Sequence, residues 1–359
     1  MTVQIKSGDL LKENADAIVN TVNCVGVMGK GIALQFKQRW PKNFKAYESA
    51  CKRKEIKPGK MFIHDLGEWA KPRFIINFPT KAHWRGDSKV EYIEEGLHDL
   101  VKQVKRLGIK SIALPPLGCG NGGLDWDVVK RLIASAFQDT SEVQATVFEP
   151  KGAPPAQEMA NLTEKPPLTP ARAAIITVIS IYREMEYGLS SIEIQKLAYF
   201  LEKSGQHLNL EFVKHNYGPY SDKLRHVLKA LDGHYIIGVG DFSGEADISL
   251  MPGALAEADK FIRTKGGSEL GERVERVRSL IDGFETPYGM ELLATVHWVV
   301  TQEPNVRTVD EAIVAVHSWN SRKKAILREE HIRMAWQRLN EKGWFRPLRQ
   351  NEKDQLSFQ

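Results

Sequence analysis

Ser111-Ile-Ala-Leu-Pro-Pro-Leu-Gly-Cys-Gly-Asn-Gly-Gly-Leu-Asp125, leading into Trp126–Phe137, is the stretch whose reading decides the fold. Ser111–Leu114 reads as a short strand, the glycine-rich run from Pro115 as a loop, and the segment from Trp126 as a helix. Strand, glycine loop and helix in that order form the repeating unit of a layered α/β domain. In such domains ligand loops collect at the carboxyl ends of the strands. The order recurs upstream. Asp16–Asn20 reads as a strand, Asn20-Thr-Val-Asn-Cys-Val-Gly-Val-Met-Gly-Lys-Gly31 as a second glycine loop, and Gly31–Arg39 as a helix. Further strands are expected at Val3–Ile5, Met61–Leu66, Phe74–Phe78 and Ala145–Phe148, and helices over Asn43–Arg53 and Lys89–Leu107. The last of these helices repeats apolar residues at Tyr92, Leu97, Leu100, Val101 and Val104, which gives it one buried face.

The pattern stops at Pro150. From Pro150 to Arg172 the chain has six prolines, small and polar residues and no apolar period, which predicts an extended linker over residues 151–170 between an α/β domain (1–150) and a second domain (171–359). Thr169-Pro170 supplies an N-cap and first helical residue for the apolar run that follows. Helices are expected over Ala171–Glu186, Ser191–Ser204, Ser221–Leu231, Leu255–Thr264, Ser268–Ile281, Gly289–Thr301, Thr308–Trp319 and Glu329–Lys342, with a short hairpin from Tyr235–Ile237 and Ile248–Leu250. The second domain is therefore mainly helical.

With 42% hydrophobic and 26% charged residues, the 359-residue chain excludes wholesale disorder and fibrous repeats. No apolar run is long enough for a membrane helix, and three scattered cysteines (Cys24, Cys51, Cys119) make no disulfide framework. A reducing cytoplasm is the expected compartment, with no membrane partner. Residues 1–150 carry 23 Lys and Arg against 17 Asp and Glu (+6), whereas residues 151–359 carry 27 against 28 (−1). The basic half suits a polyanionic ligand.

Phosphates need close backbone approach, free N–H donors and a helix N-terminus, and each glycine loop offers all three. Neither loop has Walker or Rossmann spacing. Two such loops suggest two separated anionic or ribose groups on one ligand; the simpler reading is that the glycines only make tight turns.

Gly8-Asp9 after the first strand, Ile18-Val-Asn20, Asn23, Gly26-Val-Met-Gly-Lys-Gly31-Ile-Ala, and Leu114-Pro-Pro-Leu-Gly-Cys-Gly120 with Gly122-Gly-Leu resemble the macrodomain family over residues 1–150. The resemblance implies a three-layer α/β/α fold with a mixed sheet, and an ADP-ribose site. The site would comprise Gly8, Asp9, Leu10, Asn20, Asn23, Gly26, Val27, Met28, Gly29, Lys30, Gly31, Ile32, Thr80, Pro116, Leu117, Gly118, Cys119, Gly120, Asn121, Gly122, Gly123 and Leu124. By the same resemblance Asp9 would meet the adenine amine and Asn23 the distal ribose. Gly26–Gly31 would wrap the ribose and diphosphate, and Gly118–Gly123 would cradle the phosphates.

Asn77-Phe-Pro-Thr-Lys81, followed by Ala-His-Trp-Arg-Gly86, resembles the branch that holds the terminal ADP-ribose-protein glycohydrolases and the DNA ADP-ribosyl glycohydrolase antitoxins of DarT–DarG systems. There a lysine after the fourth strand is catalytic, which implies that role for Lys81. A proline-rich linker and a second domain also fit the DarG arrangement. Chemistry makes a lysine plausible: it could attack the anomeric carbon as an amine or stabilise the departing base as a cation. On residue type alone, a loop lysine is more simply a solvated charge. The protein-directed relatives carry an aspartate soon after Gly-Cys-Gly, where this chain has glycine at about 122. Asp125 and Asp127 lie nearby, and Asp125 also fits an N-cap.

His83-Trp84-Arg85, with Lys81 and Lys89, interleaves aromatic and basic side chains, a composition suited to single-stranded nucleic acid; a tryptophan anchoring its own loop fits equally. Cys24 and Cys119 read as small packing residues, and no histidine spacing predicts a metal. In the second domain, Lys196-Leu-Ala-Tyr-Phe-Leu201 reads as a core face through Leu197, Phe200 and Leu201. His215-Asn-Tyr-Gly-Pro-Tyr-Ser221 reads as a Gly-Pro turn with a serine N-cap. Together they resemble, over part of residues 171–300, the SocA-like or Panacea antitoxin domains that neutralise toxins by contact. Asp232–Asp259 holds Asp232, Asp241, Glu245, Asp247, Glu257 and Asp259 without Lys or Arg; it reads either as a solvated loop or as a nucleic-acid mimic for a basic toxin groove.

The expected function is removal of ADP-ribose from thymidine bases of single-stranded DNA, with water as co-substrate and no cofactor or metal, joined to capture of a DarT-like DNA ADP-ribosyltransferase toxin. Two alternatives stay open: a hydrolase of ADP-ribosylated protein carboxylates, and a non-enzymatic reader whose Ser190–Ser204 forms part of a DNA-binding helix-turn-helix.

Overall fold

Strands that read as nearly unbroken apolar runs, such as Ala17-Ile-Val and Phe74-Ile-Ile, need cover on both faces. That is what they receive. The computed structural model describes residues 3–150, 160–184, 188–239 and 247–345, apart from the side chains of 265–268. Six strands, β1 (Val3–Lys6), β2 (Ala17–Val22), β3 (Phe62–Asp65), β4 (Phe74–Pro79), β5 (Ser111–Leu114) and β6 (Gln144–Phe148), form one sheet in the order β1-β6-β5-β2-β4-β3. All neighbours are parallel except β3, which runs antiparallel to β4. Alternate residues take opposite sides. Val19, Ile76, Phe78, Ile112 and Val147 pack with α3 (Val90–Arg106) and α4 (Trp126–Ala136). Ile18, Ile75 and Ala113 pack with Leu10 and with Phe36 of α1 (Gly31–Arg39), while Val22 and Met28 meet Tyr47, Ala50 and Cys51 of α2 (Pro41–Lys52). The result is the three-layer α/β/α arrangement with a mixed sheet.

Several local details follow from single residues. Asp125 is the N-cap of α4, accepting from the Val128 N–H at 3.0 Å. Gly96 lets α3 lie against β4, since a Cβ there would fall 2.2 Å from Phe78 Cζ. The buried face of α3 centres on Ile93, Leu97, Leu100 and Val104, with Tyr92 and Val101 at its margins. A 3₁₀ turn at Leu10–Lys12, too short for any periodicity, was not expected.

The chain divides into two compact units, residues 1–164 and 165–359. Of the stretch expected as a linker, residues 151–159 lie outside the described residues. The rest is held by its own unit: the Leu162 N–H donates to Gln38 O at 2.8 Å in the first, and Tyr235 Oη donates to Pro166 O at 3.0 Å in the second.

The second unit is mainly helical, with α5 (Pro170–Arg183), α6 (Ser191–Lys203), α7 (Asp222–Leu231), α8 (Ala254–Phe261), α9 (Gly267–Ile281), α10 (Pro287–Gln302), α11 (Val309–His317), α12 (Ser321–Ile326) and α13 (Glu329–Glu341). Thr169 caps α5, and Pro170 is its first residue. The expected hairpin forms as β9 (Ile236–Ile237) and β10 (Ser249–Leu250). A second one, β7 (Val213–His215) with β8 (Gly218–Tyr220), replaces the simple turn expected there. Ser221 stands at the N-cap of α7 without a side-chain cap bond, so the expected serine cap does not form. α6 is buried on all sides from Glu193 to Leu201, so it cannot be the recognition helix of a helix-turn-helix, which must be exposed. Among the described residues no helix is long and apolar enough to cross a membrane.

Candidate functional site

Because β1, β6, β5, β2 and β4 run parallel, the segments that follow β1, β2, β4 and β5 all leave the same edge of the sheet. Topology therefore brings to one edge the four pieces the sequence singled out: Gly8–Leu10, Asn23–Ile32, Thr80–Lys89 and Pro116–Leu124. Cys24 N–H donates to Ala82 O at 3.3 Å, and Thr80 N–H to Val22 O at 3.0 Å, which ties the first glycine loop to the β4 segment. Lys81 Nζ donates to Asn121 O, and Ser88 N–H donates to Gly122 O at 3.0 Å, which ties that segment to the second loop.

Within the first loop Asn23 is the organiser. Its Oδ1 accepts from the Val25 and Val27 N–H groups at 3.0 and 3.3 Å and from Tyr47 Oη at 3.2 Å, while its Nδ2 donates to Val27 O at 2.6 Å. The side chain is thus committed largely to the loop itself. Tyr47, the second support, carries no local motif and was missed by the sequence reading. Asn20 is fully buried beneath the loop and donates to Asn77 Oδ1 at 3.0 Å. Leu10, Met28, Leu117 and Thr80 are likewise buried behind the edge, whereas Gly8, Gly120, Asn121 and Gly123 are exposed. Gly26, Val27, Gly29, Lys30, Gly31, Ile32, Pro116, Cys119 and Leu124 are half-buried. Asp9 caps the 3₁₀ turn through the Leu11 N–H at 2.9 Å, and its other oxygen stands 3.6 Å from Lys12 Nζ.

The second loop explains the absent aspartate. Gly118 has a positive φ of 73°, and the Leu124 N–H closes the loop onto its carbonyl at 3.1 Å. A Cβ at Gly122 would fall 2.2 Å from that same Gly118 oxygen and 2.3 Å from Ser88 Oγ. The loop as folded has no room for any side chain at 122. Asp125 is committed to its cap.

Lys81 is half-buried. Burial pulls its ammonium below the usual lysine range, and Asp87 opposes this in part. Burial, with Cys51 beside it, pushes the Cys24 thiol up to about 11; burial and Asp125 do the same to Cys119. Both thiols are therefore protonated at neutral pH, in keeping with a packing role.

In the second unit the two singled-out motifs meet. Lys196 Nζ donates to Pro219 O at 2.8 Å, and Gln195 exchanges two bonds with the Ser221 backbone at 2.9 and 3.0 Å. Lys196 is thus buried along with the apolar face predicted for its helix. Behind Gly218 lies a charge cluster the sequence did not disclose. Lys323 Nζ, fully buried, donates to Glu291 Oε1 at 2.7 Å and Thr295 Oγ1 at 2.9 Å, and Arg322 binds Glu291 through two bonds at 2.6 and 3.1 Å. The acidic stretch is less free than its composition suggests: Asp247 pairs with Arg183 at 2.5 Å and Glu257 with Lys165 at 2.7 Å, while Asp241 and Glu245 lie outside the described residues.

A Macro domain family model matches residues 19–133. A DNA ADP-ribosyl glycohydrolase of Thermus aquaticus is 46% identical over 340 residues, 95% of this chain and 93% of that protein. The chain belongs to the DNA ADP-ribosyl glycohydrolase family. A Mycobacterium tuberculosis member of the family is 44% identical over 347 residues, 93% of this chain and 97% of its own. A Thermosipho africanus DNA ADP-ribosyl transferase–DNA ADP-ribosyl glycohydrolase fusion protein is 35% identical over 163 residues, 41% of this chain and 42% of the fusion. The family's similarity to this chain spans both units rather than the glycine loops alone.

Proposed function

We propose that the first unit hydrolyses the N-glycosidic bond between ADP-ribose and a DNA base, thymidine in single-stranded DNA being the favoured substrate, with the two glycine loops holding the ADP-ribose and Lys81 as the catalytic residue. The observation that carries this is the position of Lys81, half-buried and hydrogen-bonded to Asn121 O, where the β4 segment and the second glycine loop join. Cleavage breaks the bond from the anomeric carbon to the base nitrogen; the base keeps the electron pair and takes a proton, and the oxygen of water ends on the anomeric carbon. A desolvated lysine is suited to this step, as amine or as cation, because its charge state responds strongly to the phosphates that arrive with substrate. The closed space at Gly122 speaks against the alternative of a carboxylate-linked protein substrate, since no acidic side chain fits there.

We further infer that the second unit binds a DarT-like DNA ADP-ribosyltransferase. The fusion of a transferase with a glycohydrolase in one relative supports a partnership of these two activities.

Lys81→Ala is expected to lower single-turnover release of ADP-ribose from modified DNA at least a thousandfold while ADP-ribose affinity by calorimetry changes less than a few-fold, because the glycine loops supply the ground-state contacts. Near-normal release by the variant would overturn the assignment.

A further inference from the structure

Between Lys81 and Lys89 the chain forms a short arch whose two ends are fastened to the glycine loops. The Ala82 carbonyl accepts from Cys24 N–H, and Ser88 N–H donates to Gly122 O. Its crown is closed by local bonds to His83, with Gly86 N–H donating to the backbone His83 O at 3.1 Å and Arg85 N–H to the side-chain His83 Nδ1 at 3.2 Å. Trp84, half-buried, belongs to none of the three apolar clusters of this unit, so it is no part of the core.

Two of the neighbours of Trp84 are polar and exposed. His83 stacks on it with ring centroids 5.5 Å apart and planes 27° from parallel, and the Arg85 guanidinium lies 4.5 Å from its ring centroid. A second aromatic–cation pair follows at the start of α3, where Lys89 Nζ lies 5.7 Å from the centre of the Tyr92 ring. Aromatic faces beside exposed cations are the parts from which single-strand nucleic-acid sites are built: bases stack on the rings and phosphates meet the cations. Asp87, exposed on the same arch, would repel a phosphate brought close to it.

We propose that this arch is the DNA-strand subsite: a nucleotide flanking the modified base stacks on Trp84 and His83, and its phosphodiester meets Arg85. The proposal rests on the reading of Lys81 as the centre of a DNA-directed hydrolase. It adds to that reading a physical source of preference for a strand over an isolated nucleoside, since the loops that hold ADP-ribose cannot tell the two apart.

The test compares the full-length protein acting on an ADP-ribosylated single-stranded oligonucleotide and on an ADP-ribosylated mononucleoside. For Trp84→Ala the preference for the oligonucleotide, as a ratio of kcat/KM values, should fall roughly tenfold or more, the size of one lost base–aromatic stack, and the loss should lie in KM. Trp84→Phe, which keeps an aromatic face, should restore most of it. Arg85→Gln, at an exposed position, should flatten the salt dependence of oligonucleotide turnover by about one phosphate contact. Equal losses on both substrates in Trp84→Ala would show that the residue only supports Lys81 and would overturn the subsite. So would a wild-type protein that hydrolyses both substrates with the same kcat/KM. A wild-type protein that hydrolyses neither would instead overturn the underlying reading as well.

Discussion

The glycine-loop edge of the first unit and the charge cluster of the second are both polar constructions, yet they are built in opposite ways. The edge is made of backbone. Asn23, Thr80, Gly118 and Ser88 fix loop carbonyls and N–H groups, the exposed Gly120 and Asn121 keep it open, and few charges are buried. The cluster is made of side chains. Lys196, Glu291 and Lys323 are buried charges contributed by three helices, and Arg322 adds the outer bonds to Glu291. Backbone donors cost little to keep solvated until a ligand arrives, whereas buried side-chain charges hold only while every partner is present. A site that receives polyanions is well served by the first design. A fold element that must pin the β7–β8 hairpin is served by the second.

The sharpest way to break this contrast is to remove one member of the cluster. Glu291→Ala leaves Lys196 and Lys323 buried without a counter-charge and is expected to cost about 3–5 kcal/mol, read as loss of the second unit's transition in calorimetry. ADP-ribose binding by the first unit should persist. A cost under about 1 kcal/mol would mean that the cluster is solvated and the contrast false.

The edge should respond in the reverse sense. At Gly120 a Cβ would meet nothing within 4 Å and φ is not in the left-handed region, so Gly120→Glu should fold normally. Its carboxylate would enter the space read as the phosphate cradle, and affinity for ADP-ribose should drop at least a hundredfold, about 2.7 kcal/mol. Unchanged affinity in calorimetry would remove the loop from the site.

A further expected effect is a pH dependence of the second unit. Burial, with Lys323 nearby, draws the Lys196 ammonium down to about 7, against Glu291, which raises it. The unfolded chain then binds more protons than the folded one between about pH 7 and the ordinary lysine range near 10.4, so stability should rise with pH across that window and be flat below it. Lys196→Met should flatten the rise in pH-resolved denaturation. A slope of opposite sign would place the ammonium in a favourable site.

How far the sequence could be read followed the range of the interactions involved. The six strands and the four helices of the first unit were legible within a residue or two, because period and glycine punctuation are local signals. Both glycine loops could be picked out for the same reason, whereas Lys81 was singled out by the family resemblance, since residue type alone reads it as a solvated charge. The β7–β8 hairpin was not legible: Val213–His215 is exposed and has no alternating pattern, and the Pro219 carbonyl is held by Lys196 of α6, a contact that no local spacing records.

By itself, then, the sequence determined the layered α/β plan, the order of its elements and the identity of the two loops, since each depends on residues within a dozen positions of one another. Only the tertiary structure decided the rest. It alone showed that Gly122 is glycine because Gly118 O and Ser88 Oγ occupy the space of a side chain. It alone showed that Asn23 serves its own loop, that Trp84 stands outside every apolar cluster of its unit, and that Lys196 shares its burial with Glu291 and Lys323, about 95 and 127 positions away. Close packing and the desolvation of charge depend on which atoms are brought together, and no spacing along the chain records that.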